Sequence, residues 1–341
     1  MDAAHLADLF PAIITAADDT VIAASGSGGL GFVLSGFGFT YDQNEVLVAG
    51  SATHFTFTDV NASSARILTM DLSLPGAPVG QFEMWLAFDQ TATAFQAILA
   101  ANDVLGGGAG ADLLRGYDGS DLAYGSGGSD TLFGGDGNDV IYAGLPSGMA
   151  GSVTAGATVL RGENGDDFII GGAGFDDING NKGNDTITDR QGGDDWLVGG
   201  QGNDLIFAHV GRNILYGNLG DDTLVAGAGG ALNGGDLLRG GQGNDAIFGG
   251  SANEWLSGDR GNDTISGGAG ADIFHTFSGA GIDRVLDFNL AEGDRVQVDV
   301  GTTWTVTQVG ADTVIDMSNG DQMILVGVDK TTLTGAWIFT L

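Results

Sequence analysis

From Gly107 onward the chain repeats every nine residues, reading GGAGADLLR, GYDGSDLAY, GSGGSDTLF and GGDGNDVIY. Asp112, Asp121, Asp130 and Asp139 recur at the sixth position, with Asp103 in the same phase. After an insertion at about 143–152, the degenerate unit VTAGATVLR puts Thr158 there. The phase resumes at Asp167, Asp176, Asp185 and Asp194, the last with Asp195 beside it. One extra residue near Val198 shifts the count to Asp204, Asn213 stands in for Asp, and Asp222 restores it. A second insertion at 226–230 precedes Asp236, Asp245, Glu254, Asp263 and Asp272. Glycine marks where this rule holds: residues 1–101 contain 9, residues 102–275 contain 46 and residues 276–341 contain 8. Three parts follow, 1–101, 102–275 and 276–341, the middle one built differently from its neighbours.

A unit this short has few options. Glycines at positions 1, 2 and 4 admit positive φ and keep side chains out of a crowded turn. The last three residues alternate, so the large apolar residue at position 8 points inward from a short strand. Two units make one coil, and neighbouring coils pair their strands in parallel at ~4.8 Å. About eight coils then span roughly 40 Å. One coil cannot bury a single Leu or Ile alone, so the core exists only in the stack.

Stacking brings position-6 carboxylates on one edge a single coil apart, where bare charges repel. Calcium answers this, because it takes six to eight oxygens from carboxylates and backbone carbonyls in adaptable geometry. The chain has 44 Asp+Glu against 11 Lys+Arg, for a formal charge of −33. Roughly 8–14 calcium ions would cancel most of that charge. The same charge excludes nucleic acid as a natural partner. Cysteine is absent, which excludes disulfides and thiolate sites.

The repeats resemble the RTX nonapeptide GGxGxDxUx; GGDGNDVIY at 134–142 and GGQGNDAIF at 240–248 carry every defined position. The resemblance implies a mainly β fold, a calcium-stapled parallel β-roll over 102–275. It implies as ligands the aspartates Asp103, Asp112, Asp121, Asp130, Asp139, Asp167, Asp176, Asp185, Asp194, Asp195, Asp204, Asp222, Asp236, Asp245, Asp263 and Asp272. Backbone carbonyls of turn glycines such as Gly107, Gly134, Gly171, Gly199, Gly240, Gly258 and Gly267 complete the set. Residues 271–274, 281–288 and 292–298 are similar to the cap that closes the roll in serralysin-type secreted proteins. That resemblance implies a C-terminal signal for a type I secretion machine and an extracellular or cell-surface location. The first residues lack the basic region and long apolar core of an N-terminal signal peptide, and no run of 18 apolar residues occurs.

Beyond the roll, Trp304–Val309, Thr313–Met317 and Gln322–Val328 read as short antiparallel strands of a C-terminal β cap, with turns at Gly310 and Asn319–Asp321. In residues 1–101, helical spacing over 5–16 and 89–101 flanks alternating segments at Phe55–Phe57, Leu68–Leu74 and Phe82–Phe88. These read as a β-rich capping or assembly domain with short helices.

No His-Glu-x-x-His and no G-x-S-x-G occurs, so zinc-protease and α/β-hydrolase chemistry have no motif here. His5, His54, His209 and His275 are scattered. In the doublets Asp166-Asp167, Asp176-Asp177, Asp194-Asp195 and Asp221-Asp222, one residue holds the calcium phase and its neighbour reads as a solvated turn residue. Aromatic residues recur at position 9 as Tyr124, Phe133, Tyr142, Phe207, Tyr216 and Phe248, a candidate strip for a glycan or other partner. The expectation is a secreted calcium-binding structural protein, not an enzyme, that self-associates on calcium binding. Alternatives are a monomeric adhesin or glycan-binding module, and a hydrolase whose site lies in residues 20–88.

Overall fold

The computed structural model describes residues 102–107, 111–145, 156–189, 192–227, 235–317 and 319–341, and ahead of them the backbone of six strands. The chain divides into two compact units, residues 1–155 and 156–341. The division falls at the first insertion, inside the repeats, whereas composition changes near residue 101.

In the first unit, strands Ile14–Ala17, Val21–Ser25, Leu30–Tyr41, Leu47–Asp59 and Arg66–Asp71 run as an antiparallel meander. The helix expected over 5–16 is corrected where it can be seen, because Ile14–Ala17 is a strand paired with Val21–Ser25. Strand pairing outweighs the helical spacing of two isoleucines. Residues 5–13, the helix expected at 89–101 and the strand expected at Phe82–Phe88 lie outside the described residues. Strand Arg66–Asp71 then pairs antiparallel with Val104–Gly106, which pairs in parallel with Leu122–Tyr124, as that does with Val140–Tyr142. On the opposite side, Leu113–Asp118 pairs in parallel with Thr131–Asp136.

The second unit repeats this arrangement. Short strands at 168–170, 186–188, 205–207, 223–225, 246–248, 264–266 and 282–285 form one parallel ladder. Strands at 158–164, 176–182, 196–201, 214–219, 237–242, 255–260, 273–276 and 295–298 form the other. Alternate units therefore differ: one has a three-residue strand, the next a strand of up to seven residues that continues into its turn. Register holds position 8 inward throughout. Leu160, Ile178, Leu197, Leu215, Leu238, Leu256, Phe274 and Val296 stack from one side, and Ile169, Ile187, Ile206, Leu224, Ile247, Ile265 and Val285 from the other. All of these side chains are fully buried. Each coil thus contributes two side chains to a core only two residues wide.

The parallel ladder continues past residue 275, through Ile265↔Val285 and Phe274↔Val296. Beyond it, Trp304–Val309, Asp312–Met317 and Gln322–Leu325 form an antiparallel sheet. Gln322–Leu325 also pairs in parallel with Ile282–Val285, and Ile338–Thr340 with Arg295–Val298. Both ladders of the second unit therefore end on C-terminal strands, so neither bare edge is left at residues 282–298.

Candidate metal centres

Every unit places its position-6 side chain immediately before a strand, where the chain turns into the core. In the second unit, one edge carries Asp167, Asp185, Asp204, Asp222, Asp245, Asp263 and Asp283, all buried. The other carries Thr158, Asp176, Asp195, Asn213, Asp236, Glu254, Asp272 and Asp294, also buried. In the first unit the corresponding groups are Asp103, Asp121 and Asp139 on one edge and Asp112 and Asp130 on the other.

Along both edges a carboxylate oxygen typically accepts from the backbone N–H one coil earlier, whereas Asp103 at the start of its column has neither oxygen bonded among the described residues. The backbone N–H of Asp103 donates to Oδ1 of Asp121 at 2.8 Å, and that of Asp121 to Oδ1 of Asp139 at 2.7 Å. The same bond joins Asp185 to Asp204 and Asp245 to Asp263, both at 2.8 Å, and Glu254 to Asp272 at 2.9 Å. Asn213 serves as well as Asp here, accepting from Asp195 N–H at 3.0 Å. Thr158 donates both its backbone N–H, at 3.2 Å, and its hydroxyl, at 2.5 Å, to Oδ1 of Asp176. The other oxygen is different. Oδ2 of Asp121, Asp130, Asp185, Asp195, Asp204, Asp222, Asp236, Asp245, Asp263, Asp272 and Asp283, and Oε2 of Glu254, are buried without a hydrogen-bond partner among the described residues.

Where a unit opens on glycine, the unpaired oxygen points back to that glycine. A Cβ on Gly125 would collide with Oδ2 of Asp130 and lie 2.6 Å from the carbonyl oxygen of Ala143, one coil on. A Cβ on Gly116 would collide with Oδ2 of Asp121 and the carbonyl of Gly134, and one on Gly217 with Oδ2 of Asp222 and the carbonyl of Gly240. Glycine at position 1 of these units allows the close approach, and positive φ falls at later turn positions such as Gly135 and Gly137. At the cradles of Gly116, Gly125 and Gly217 a carboxylate oxygen and a carbonyl oxygen converge, a ligand set suited to a hard cation. Among the described residues no three Asp, Glu or His side chains converge on one point. A cation would thus draw the rest of its oxygens from the backbone.

Burial penalises the charged carboxylates. It pushes Asp121, Asp130 and Asp185 up to about 6, Asp204 and Asp222 to about 7, and Asp245 to about 8, against a usual 3.8. For Asp204, Asp222 and Asp245 the neighbouring carboxylates add to the rise. Without a cation, burial thus disfavours the ionised form of these carboxyls.

The aspartates expected as ligands stand in these columns, with one correction. Asp194 is exposed, and Asp195 takes the buried position; Oδ1 of Asp195 accepts from Asp176 N–H at 2.8 Å. The extra residue therefore lies between Thr188 and Asp195, ahead of Val198, since Thr188 already pairs with Phe207 and Ile178 with Leu197. Of the carbonyls expected as ligands, those of Gly134, Gly199 and Gly240 face a carboxylate across a cradle, as do those of Gly125, Ala143 and Gly180, which sequence reading did not name. Gly171, Gly258 and Gly267 instead form cradle floors against Asp176, Asp263 and Asp272. Gly107 is likewise a floor, and its carbonyl accepts from the Ser126 hydroxyl at 3.0 Å.

Sequence reading missed Asp283 and Asp294. Their signals were Gly281-Ile-Asp-Arg-Val and Gly293-Asp-Arg-Val, each with Asp two residues ahead of a core valine. It also missed a second ladder at position 5. Asn203 N–H donates to Oδ1 of Asn184 at 2.8 Å, Asp221 N–H to Asn203 at 3.0 Å and Asn244 N–H to Asp221 at 2.6 Å. Here the later coil donates to the earlier one, the reverse of position 6. The position-5 neighbours Asp166, Asp194 and Asp221 are thus exposed but structural, whereas Asp177 is half-buried and pairs with Arg161 at 2.8 Å.

Of the histidines, His209 is exposed, and the side chains of His5 and His54 lie outside the described residues. His275 is buried between the Ser257 hydroxyl at 3.1 Å and Asp299 at 2.9 Å, stacked on Trp255. The position-9 aromatics do not form one strip. Tyr124 and Tyr142 in the first unit, and Phe207 and Phe248 in the second, lie on short strands, whereas Phe133 and Tyr216 lie on long ones.

The profile of the RTX calcium-binding nonapeptide repeat (4 copies) matches residues 99–130, 115–145, 153–187, 191–229, 231–253 and 248–285. No curated protein matches the chain. Among solved structures the chain is similar to the extracellular lipase LipA from Serratia marcescens, at 19% identity and a TM-score of 0.30. That match covers 64% of this chain and 44% of the lipase, so the chain spans less than half of its length. With the profile covering just over half the chain, the protein belongs to the RTX calcium-binding nonapeptide repeat family.

Proposed function

We propose that this chain is a secreted structural protein of a bacterial surface or extracellular matrix, which folds when it binds calcium and then self-associates. The observation that carries this reading is the row of buried carboxylate oxygens without partners, repeated along both edges. Bound calcium would supply positive charge and bonds to these oxygens and to carbonyls such as those of Gly134 and Gly240. The residues do the rest. Position-6 carboxylates lock adjacent coils through backbone N–H groups, and glycine at position 1 lets each carboxylate fold back over its own turn.

At the low calcium of a cytosol such columns repel, and the chain passes a secretion channel unfolded; outside, binding free energy becomes folding free energy. A C-terminal type I signal fits this order of events. A non-enzymatic role fits a chain whose repeats are devoted to scaffold.

The test is circular dichroism and negative-stain electron microscopy in EDTA and in millimolar calcium. We expect strand signal and ordered sheets or filaments only with calcium. Strand signal of equal size in EDTA would refute calcium-driven folding. Isolated single particles at all concentrations in calcium would refute self-association.

A further inference from the structure

An open trough of about 640 Å³ crosses the outer face of the long-strand ladder in the second unit. Its lining includes the amide side chains of Asn179, Asn181, Gln201, Asn218 and Gln242. It extends over five successive strands, from Asn179 to Arg260, or roughly 20 Å at the spacing of paired strands. An elongated trough of this length suits an extended chain better than a compact small molecule.

The floor follows a two-coil rhythm. The second position of each unit is bare at Gly200 and Gly241, where a Cβ would collide with the carbonyls of Asn181 and Asn218. On alternate coils that position carries Asn181, Asn218 and Asp259, held at φ 76°, 80° and 70°. These side chains stand where glycine is the conformationally easy residue, and such placements concentrate where side chains meet ligands. They recur at about 9.6 Å, twice the strand spacing. Asn181 is held in place, its N–H donating to Oδ1 of Asn179 at 2.9 Å.

The chemistry of the lining selects among polymers. Amides both donate and accept, as sugar hydroxyls do. The trough has two arginines and one carboxylate, and Nε of Arg239 already donates to Oδ2 of Asp259 at 2.8 Å, with its guanidinium over Tyr216. In a chain of net charge −33, this leaves little attraction for a polyanion. Phe277 supplies an aromatic face for the C–H side of a sugar ring.

We propose that this trough binds a linear neutral polysaccharide, with Asn181 and Asn218 reading hydroxyls two coils apart. The proposal rests on the calcium-folded roll argued above and names a partner for it.

The test is affinity gel electrophoresis of the full chain in calcium, against dextran, laminarin, galactomannan and xyloglucan, with hyaluronan as the anionic arm. Circular dichroism in the same buffer monitors folding. Retardation by at least one neutral polymer is expected, reduced tenfold or more in affinity by N181G/N218G with no change in the calcium folding midpoint. Glycine already stands at the equivalent positions 200 and 241, so that variant is expected to fold. Gln201→Ala with Gln242→Ala gives an independent pair of exposed changes, expected to weaken retardation in the same way. No retardation by any neutral polymer, retardation by hyaluronan alone, or retardation unmoved by both variant pairs overturns the proposal. Failure of the wild-type chain to gain strand signal in calcium would instead refute the folding reading.

Discussion

The backbone N–H of Asp204 donates to Oδ1 of Asp222 at 2.7 Å, while Oδ2 of the same carboxylate is buried without a partner. One side chain thus has two jobs, coil-to-coil hydrogen bonding and cation binding, and substitutions can separate them. Asp222→Asn keeps an acceptor for Asp204, as Asn213 does for Asp195. We expect it to retain the fold in saturating calcium and to weaken binding at its own cradle. Losing a charge-assisted contact of about 1.5–3 kcal/mol corresponds to roughly a 10–100-fold change in affinity at that site. Isothermal titration calorimetry checks this, and an unchanged isotherm would remove Asp222 from the ligand set.

Gly217 lies opposite that carboxylate. A Cβ there would collide with Oδ2 of Asp222 and the carbonyl of Gly240. Gly217→Ala is therefore expected to cost about 1–3 kcal/mol of calcium-bound stability through overpacking. Chemical denaturation in saturating calcium measures it. A neutral or stabilising alanine would mean the cradle is not closed as described.

Acidity should act in opposite senses with and without metal. Asp204 and Asp222 are raised to about 7 and Asp245 to about 8, from 3.8, by burial first and by neighbouring carboxylates next. A carboxyl raised in the fold contributes stability that is complete below its unfolded value and is lost as pH climbs through the folded value. In EDTA the roll is therefore expected to gain strand signal near pH 4 and lose it toward pH 8. Calcium requires the ionised form, so its midpoint should fall as pH rises over that range, with protons released on binding. Circular dichroism against pH and a pH-stat titration test both senses. Strand signal in EDTA that increases with pH would contradict the argument.

Leu224 is fully buried and stacks between Ile206 and Ile247 in a core two side chains wide. Leu224→Ala is expected to cost about 2–5 kcal/mol in saturating calcium. Leu224→Asp buries an unpaired charge and is expected to abolish the strand signal around it. Thermal melts rank the two, and equal melting points for wild type and alanine would show that the stack is not the core.

The period of nine, the apolar residue at position 8 and the acidic residue at position 6 are local and recur many times, so sequence alone determined the parallel roll, its inward columns and its calcium chemistry. Tertiary structure decided what depends on register between coils. Asp194 and Asp195 are adjacent acids that phase alone misassigned; strand pairing across the one-residue insertion buries the second. Asp283 and Asp294 sit in units of irregular spacing, and they join the columns only because Val285 and Val296 enter the core ladders. Which oxygen stays unpaired, and why glycine at position 1 allows the close approach, follow from contacts one coil away, about 18 residues along the chain. The trough arises the same way. Asn181, Asn218 and Asp259 look like random departures from glycine until stacking aligns them, because a repeat fixes each coil locally while only neighbouring coils give its surface a shape.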